Sequence, residues 1–242
     1  MKNTLILTSI ASLLAAFTTS AQETWNFQTD TVGDPPGMVE LSRERAVENT
    51  IRVVGQSSDP ADPFGGSDNQ CLYYFCKSGD RRPPWADFAF DKGSALAAGT
   101  ASFDLFLKST GDSAGIIEVQ IGKGGRKSAL AAIQIWTNSD GRTPGLIRYF
   151  SGNTEGSAGL AADQRFVLDQ KNTISMSWKN GGYSVEINGQ PLTAGGQAVF
   201  GYANPEILEA SVVRITTATT GAPSTDPNGV AAFVDNLIVH ER

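Results

Sequence analysis

Residues 172–192, NTISMSWKNGGYSVEINGQPL, decide the fold of this chain. Ile174, Met176 and Trp178 alternate with Ser175 and Ser177, and Tyr183, Val185 and Ile187 alternate with Ser184, Glu186 and Asn188. That two-residue period belongs to strands with one face in a core and the other toward water. Lys179-Asn180-Gly181-Gly182 separates the two runs, and Asn188-Gly189 ends the second. Asn-Gly pairs supply the positive φ angles of tight hairpin turns, so the stretch predicts a β-meander whose third strand starts at Gln190. Trp178 shares a face with Ile174 and Met176 and is expected in the core, beneath an opposing sheet.

Working outward, strand-like runs recur at residues 24–27, 51–54, 71–75, 85–90, 100–108, 115–122, 129–136, 146–150, 210–216 and 231–239. Turns rich in Gly, Asp, Asn and Pro separate them, and the Ala-rich pieces at 95–98 and 158–162 are too short and Gly-flanked to make useful helices. About a dozen short strands joined by polar turns predict an all-β, antiparallel, two-sheet jelly-roll sandwich. The chain has 242 residues without an internal repeat or a linker, and one such domain is expected over residues 22–242.

Residues 1–21 read as a secretory signal peptide: Lys2 precedes an apolar run from Leu5 to Phe17, and Thr19-Ser20-Ala21 offers small residues for cleavage. The run falls short of the ~20 apolar residues of a bilayer-crossing helix, and no comparable one follows. Export to the periplasm, the cell surface or the medium is therefore expected, with no membrane span. A formal charge of −6 and no basic cluster longer than Arg81-Arg82 argue against nucleic acid or an anionic membrane as partner. Cys71 and Cys76 are the only cysteines. Five residues apart on one extended strand they face opposite ways, so two buried free thiols are expected in preference to a bridge or a zinc site.

Three pieces, TWNFQTDTVGDPPG at 24–37, SMSWKNGGYSVEINGQPL at 175–192 and AAFVDNLIV at 231–239, together resemble the concanavalin A-like, laminin-G-like jelly-roll domains of exported bacterial proteins. These motifs mark a fold and span the chain after the leader. The resemblance also implies a structural calcium, held by Asp235 of the last strand with an acidic residue of the first. Gln28 stands at that first-strand position here, and a neutral ligand suits Ca²⁺ less well than a carboxylate. The plainer role for Asp235 is to accept backbone hydrogen bonds at a strand end or turn.

Catalytic patterns are missing. Retaining hydrolases of this fold set carboxylates two residues apart on one strand, and no E-x-D-x-x-E occurs. Alginate-type lyases of this fold use a Gln-Ile-His strand and a Tyr; Gln134-Ile135-Trp136, with Tyr149 nearby, puts an indole where the proton-transferring imidazole belongs. The one histidine is His240, near the end. No G-x-S-x-G elbow appears, and GKGG at 122–125 reads as a hairpin turn rather than a phosphate loop.

Strand alternation does collect a polar set. Phe103, Leu105 and Leu107 oppose Asp104; Ile117, Val119 and Ile121 oppose Glu118 and Gln120; Ala131, Ile133 and Ile135 oppose Gln134 and Trp136; Leu146 and Phe150 flank Arg148. If these strands are neighbours, Asp104, Glu118, Gln120, Gln134, Trp136 and Arg148 share one sheet face. Carboxylate, amide and guanidinium groups bind hydroxyl pairs and an exposed indole stacks on a pyranose, as a sugar site requires. A solvated outer sheet face has the same composition. A second candidate is Trp85, after Arg81-Arg82-Pro83-Pro84, although prolines beside a Trp also pin a loop to a core. The expectation is an exported, non-catalytic carbohydrate-binding or cell-envelope domain with a polysaccharide or glycan partner. A polysaccharide lyase or glycoside hydrolase, and a structural or adhesive sandwich that binds protein, are the competing readings.

Overall fold

The computed structural model describes residues 22–37, 39–41, 50–77, 83–90, 94–108, 115–138, 144–152, 154–160, 166–219 and 229–242. The expected leader, residues 1–21, and Arg81-Arg82 lie outside these residues. The described chain is all-β. Its strands in order are β1 (Gln22–Trp25), β2 (Glu40–Leu41), β3 (Thr50–Gly55), β4 (Gln70–Cys76), β5 (Trp85–Ala89), β6 (Gly99–Leu107), β7 (Gly115–Gly122), β8 (Ala129–Asn138), β9 (Ile147–Ser151), β10 (Thr154–Leu160), β11 (Lys171–Lys179), β12 (Gly182–Ile187), β13 (Gln190–Thr193), β14 (Phe200–Gly201), β15 (Val212–Thr219) and β16 (Val230–Glu241). Among the described residues no helix is long and apolar enough to cross a membrane.

The meander forms as its sequence dictates. Lys179 pairs with Gly182 and Trp178 with Tyr183, so Asn180 and Gly181, at φ 50 and 81, make the two-residue turn between β11 and β12. Asn188 and Gly189 repeat the device at φ 53 and 73, and Ile187 pairs with Gln190 of β13. The cross-strand pairs Ile174–Ile187, Met176–Val185 and Trp178–Tyr183 all point into the core, where Trp178 is 1% exposed.

Two antiparallel sheets face each other as a jelly-roll sandwich. The front sheet runs β2-β5-β15-β7-β8-β9-β10 and the back sheet β13-β12-β11-β6-β16-β4-β3, with β1 on the far half of β16 and β14 on β12. Pairing of Gly159 with Thr193 and Leu160 with Leu192 joins β10 to β13 and closes one side of the sandwich. One large core cluster fills the space between, with Ile117, Val119, Ile121, Ile133, Ile135 and Ile147 from the front and Phe103, Leu105, Met176, Val185 and Val234 from the back. Tyr183 ties the sheets together: its hydroxyl accepts from the Phe150 amide at 3.2 Å and lies 2.7 Å from the carbonyl of Phe150 and 3.0 Å from that of Ala132. It thus satisfies buried backbone groups of β8 and β9 just past the end of their ladder, the pair Ile133–Tyr149.

Three strands escape the periodic reading. β2 and β14 are two residues long, too short to carry a period. In β10, Gly156 pairs with Tyr149, and a Cβ there would fall 2.7 Å from the Tyr149 ring, so packing demands a glycine that hides the strand. Cys71 and Cys76 are buried and form no disulfide, as the straight β4 requires.

Candidate functional site

The outward face of the front sheet is built from cross-strand rows. Pairing aligns Glu40, Asp87, Arg214 and Gln120 across β2, β5, β15 and β7. The next row aligns Trp85, Thr216, Glu118, Gln134 and Arg148 across β5, β15, β7, β8 and β9. Ile116 and Trp136 pair in the row beyond. Each outward residue alternates with an isoleucine, valine or alanine on the core side, which fixes which way it points.

Glu118 is the hub. It is 4% exposed, yet its carboxylate accepts from Arg126 Nε at 2.9 Å, from a second Arg126 nitrogen, from Gln120 Nε2 at 2.5 Å and from Gln134 Nε2 at 2.6 Å. A buried carboxylate is tolerated only when paired and hydrogen-bonded in this way. Arg126 itself is exposed; it leaves the turn between β7 and β8, where Gly124 and Gly125 adopt φ 83 and 82, and folds back over the sheet. Its guanidinium also covers the Phe150 ring at 4.7 Å. One row away Asp87 accepts from Arg214 Nε and Nη2, both at 2.5 Å, and Arg214 lies 4.0 Å over the half-buried Trp85 ring. Between the two ion pairs runs a groove of about 310 Å³ lined by Trp85, Glu118, Gln120, Arg126, Arg214 and Thr216. That volume sits at the small end of ligand clefts, enough for one or two sugar rings.

Of the six residues expected on one face, Glu118, Gln120, Gln134, Trp136 and Arg148 are brought together on the front sheet. Asp104 is not. Its strand β6 lies in the back sheet between β11 and β16, where Asp104 pairs with Asp235 and bonds Lys171 at 2.8 Å and Thr173 at 2.7 Å. Alternation assigns a residue to a face of its own strand and carries no information on which sheet the strand joins. The Trp136 ring, expected to be exposed, is 7% exposed, and Arg148 lies 5.0 Å over it. Trp85 is the more accessible indole, from the proline-flanked stretch named as the second candidate. Asp87 and Arg214 were missed although they alternate with Phe88 and Ile215, because 127 residues separate them.

Asp235, the implied calcium ligand, is 1% exposed at a bulge in β16, where Asn236 has φ 53. Its oxygens accept from the Asn236 amide at 2.8 Å, from Asn69 Nδ2 at 3.2 Å and from Asn236 Nδ2 at 3.3 Å. Gln28 Nε2 donates to the carbonyls of Asn26 and Gln70 and to Asn69 Oδ1 at 2.9, 3.0 and 3.2 Å. Amide N–H groups thus serve the oxygens a cation would need, and among the described residues no three acidic, His or Cys side chains converge as a metal site. This donor set does not fit calcium.

Burial pushes the Asp235 carboxyl up to about 6, against the pull of its hydrogen bonds and reinforced by Asp62 and Asp104. A folded-state value above the unfolded one means that the folded state holds the proton more tightly. Stability from this group is therefore present at low pH and lost as pH rises from about 4 to about 6. Asp235→Asn removes that titration. The melting temperature of the variant relative to wild type is expected to climb between pH 4 and 7, by the equivalent of roughly 1–2 kcal/mol; a pH-independent difference would contradict it. Asp104 behaves oppositely: burial raises its carboxyl, but bonds from Lys171, Thr173 and Asn236 and the charge of Lys171 hold it below the usual range.

No family model and no curated protein matches this sequence. Among solved structures, a Crh5 transglycosylase in complex with NAG is similar with a TM-score of 0.52 at 12% identity, over 91% of this chain and 83% of that one. A botulinum neurotoxin type C, whose cell entry depends on interaction with two ganglioside molecules, gives 0.52 at 12% identity over 92% of this chain and 48% of its own. An alginate lyase of polysaccharide lyase family 7 lies further off, with a TM-score of 0.46 at 13% identity over 73% and 81%. At such identities the likeness is one of fold alone.

Proposed function

We propose that this protein is carbohydrate-directed and engages a glycan along the front-sheet groove between Trp85 and Arg126. The observation that carries the reading is the pair Glu118 and Gln120, planar polar groups that are buried, fixed by a mutual hydrogen bond and by Gln134 behind them, and that line a groove edged by a half-buried indole. Prefixed planar groups select hydroxyl pairs with little entropy to lose, and the indole offers an apolar surface to a sugar ring. Trp136 and Arg148 flank this site, and Asp104 stands outside it. The leader-like residues 1–21 support export, which brings the protein to polysaccharide outside the cytoplasm.

A catalytic form of the same reading draws on the transglycosylase of this fold and on Glu118, a carboxylate at the groove. Its difficulty is the second group. Asp87 and Glu118 are two strands and two residues apart, and an arginine holds each carboxylate. A non-catalytic form draws on the clamping of both carboxylates by arginines.

The test uses a panel of immobilised polysaccharides. Trp85→Ala is expected to weaken retention at least about tenfold while lowering the melting temperature by only a few degrees, since a half-buried ring at a strand start contributes little to the core. Release of reducing ends or of unsaturated sugar, abolished by Glu118→Gln, would establish the catalytic form. Retention unaffected by Trp85→Ala would move the site elsewhere.

A further inference from the structure

Within the groove one atom asks for a partner. Gln120 is 6% exposed and its Nε2 is committed to Glu118, but its Oε1 is buried without a hydrogen bond. A buried acceptor without a partner is uncommon in native proteins and calls for something to complete it. On either side stand Arg126 and Arg214, each already locked by two nitrogens onto a carboxylate, Glu118 and Asp87 respectively. The positive charge of the groove is thus cancelled in place, and what it lacks is a donor.

From this we infer that the groove selects neutral, hydroxyl-bearing sugars over uronates and sulfated sugars. The inference rests on the glycan reading above and sharpens it. A hydroxyl donates its proton to Gln120 Oε1. A carboxylate or sulfate group brings acceptors only. It sets an oxygen against Gln120 Oε1 and a negative charge beside Glu118 and Asp87, while the arginines that would attract it are committed. A site built to pair a hydroxyl discriminates strongly against a ligand group that leaves its buried atom unpaired. Gly125 keeps the approach open: a Cβ there would lie 3.4 Å from Arg214 Nη1, at the wall of the groove.

The experiment is titration calorimetry of the full chain against glucose, mannose and galactose hexaoses and against uronate oligomers of equal length. A neutral hexaose is expected to bind at least about tenfold more tightly than any uronate, and Gln120→Met, which keeps the side-chain length and removes the acceptor, is expected to cost about tenfold or more. Should Gln120→Met fail to fold, Gln120→Asn withdraws the same oxygen by one methylene and is expected to act alike. Uronate binding that is equal or tighter, and sensitive to Trp85→Ala, would overturn the inference and leave the glycan reading standing. Neutral binding indifferent to both Gln120 variants would overturn it too. Failure of every sugar to bind would instead remove the glycan reading itself.

Discussion

Replacing Trp178 by alanine is expected to cost about 3–5 kcal/mol of folding stability, the range for removing a fully buried aromatic side chain. The indole is 1% exposed, stacks with Phe90 at a ring-centroid distance of 6.4 Å and donates from Nε1 to the carbonyl of Leu96 at 3.1 Å. A Cβ on Gly99 would lie 2.5 Å from its ring, so strand β6 passes as close as a bare backbone allows. Surroundings moulded that closely to the ring leave a cavity when it is removed. Against the 5–15 kcal/mol of a typical domain the loss is large, on the order of 10 °C in melting temperature. A reversible urea titration measures it, and a loss below about 1 kcal/mol would mean that the meander does not dock as described.

Asp87→Ala should cost nearly as much, about 3 kcal/mol, for an electrostatic reason. Arg214 has two nitrogens on the Asp87 carboxylate, with the side chains 19% and 10% exposed. Removing one partner leaves a largely buried guanidinium without its counter-charge, whereas removing both leaves no charge to compensate. Asp87→Ala combined with Arg214→Met is therefore expected to recover much of the loss, giving a coupling energy above about 1 kcal/mol in a double-mutant cycle. Additive effects would show the pair to be a surface contact. Because Arg214 also lies over Trp85, the single variant should loosen that indole and change its fluorescence, while the core Trp178 stays as it was.

Much of this architecture was legible in advance because it is written in local terms. Asn180-Gly181 and Asn188-Gly189 fix two turns, turns fix register, and register fixes that Ile174, Met176 and Trp178 face inward. Glu118, Gln120, Gln134, Trp136 and Arg148 were collected for the same reason, since β7, β8 and β9 follow one another in the chain and in the sheet. Asp104 went astray because sheet membership is a long-range property, and the neighbours of its strand, β11 and β16, come much later in the chain. Arg126 was invisible for another reason. It sits in a turn read only for its glycines, and nothing local tells that a turn side chain folds back over a buried carboxylate.

The edges of the sandwich carry a consequence for how copies of this chain treat one another. Among the described residues β2 and β3 stand at the two ends of the strand path, and β2 is only two residues long. On the outer side of β3, Val53 already exchanges both its bonds with Gly33 and Asp34, at 2.9 Å each. The Gly55 carbonyl accepts from Ser58 and Asp62, and its amide donates to the Ser58 hydroxyl. A foreign strand laid along β3 would find these groups spent. At this edge the chain thus blocks strand addition with its own loops, one of the ways natural sheets avoid edge-to-edge growth.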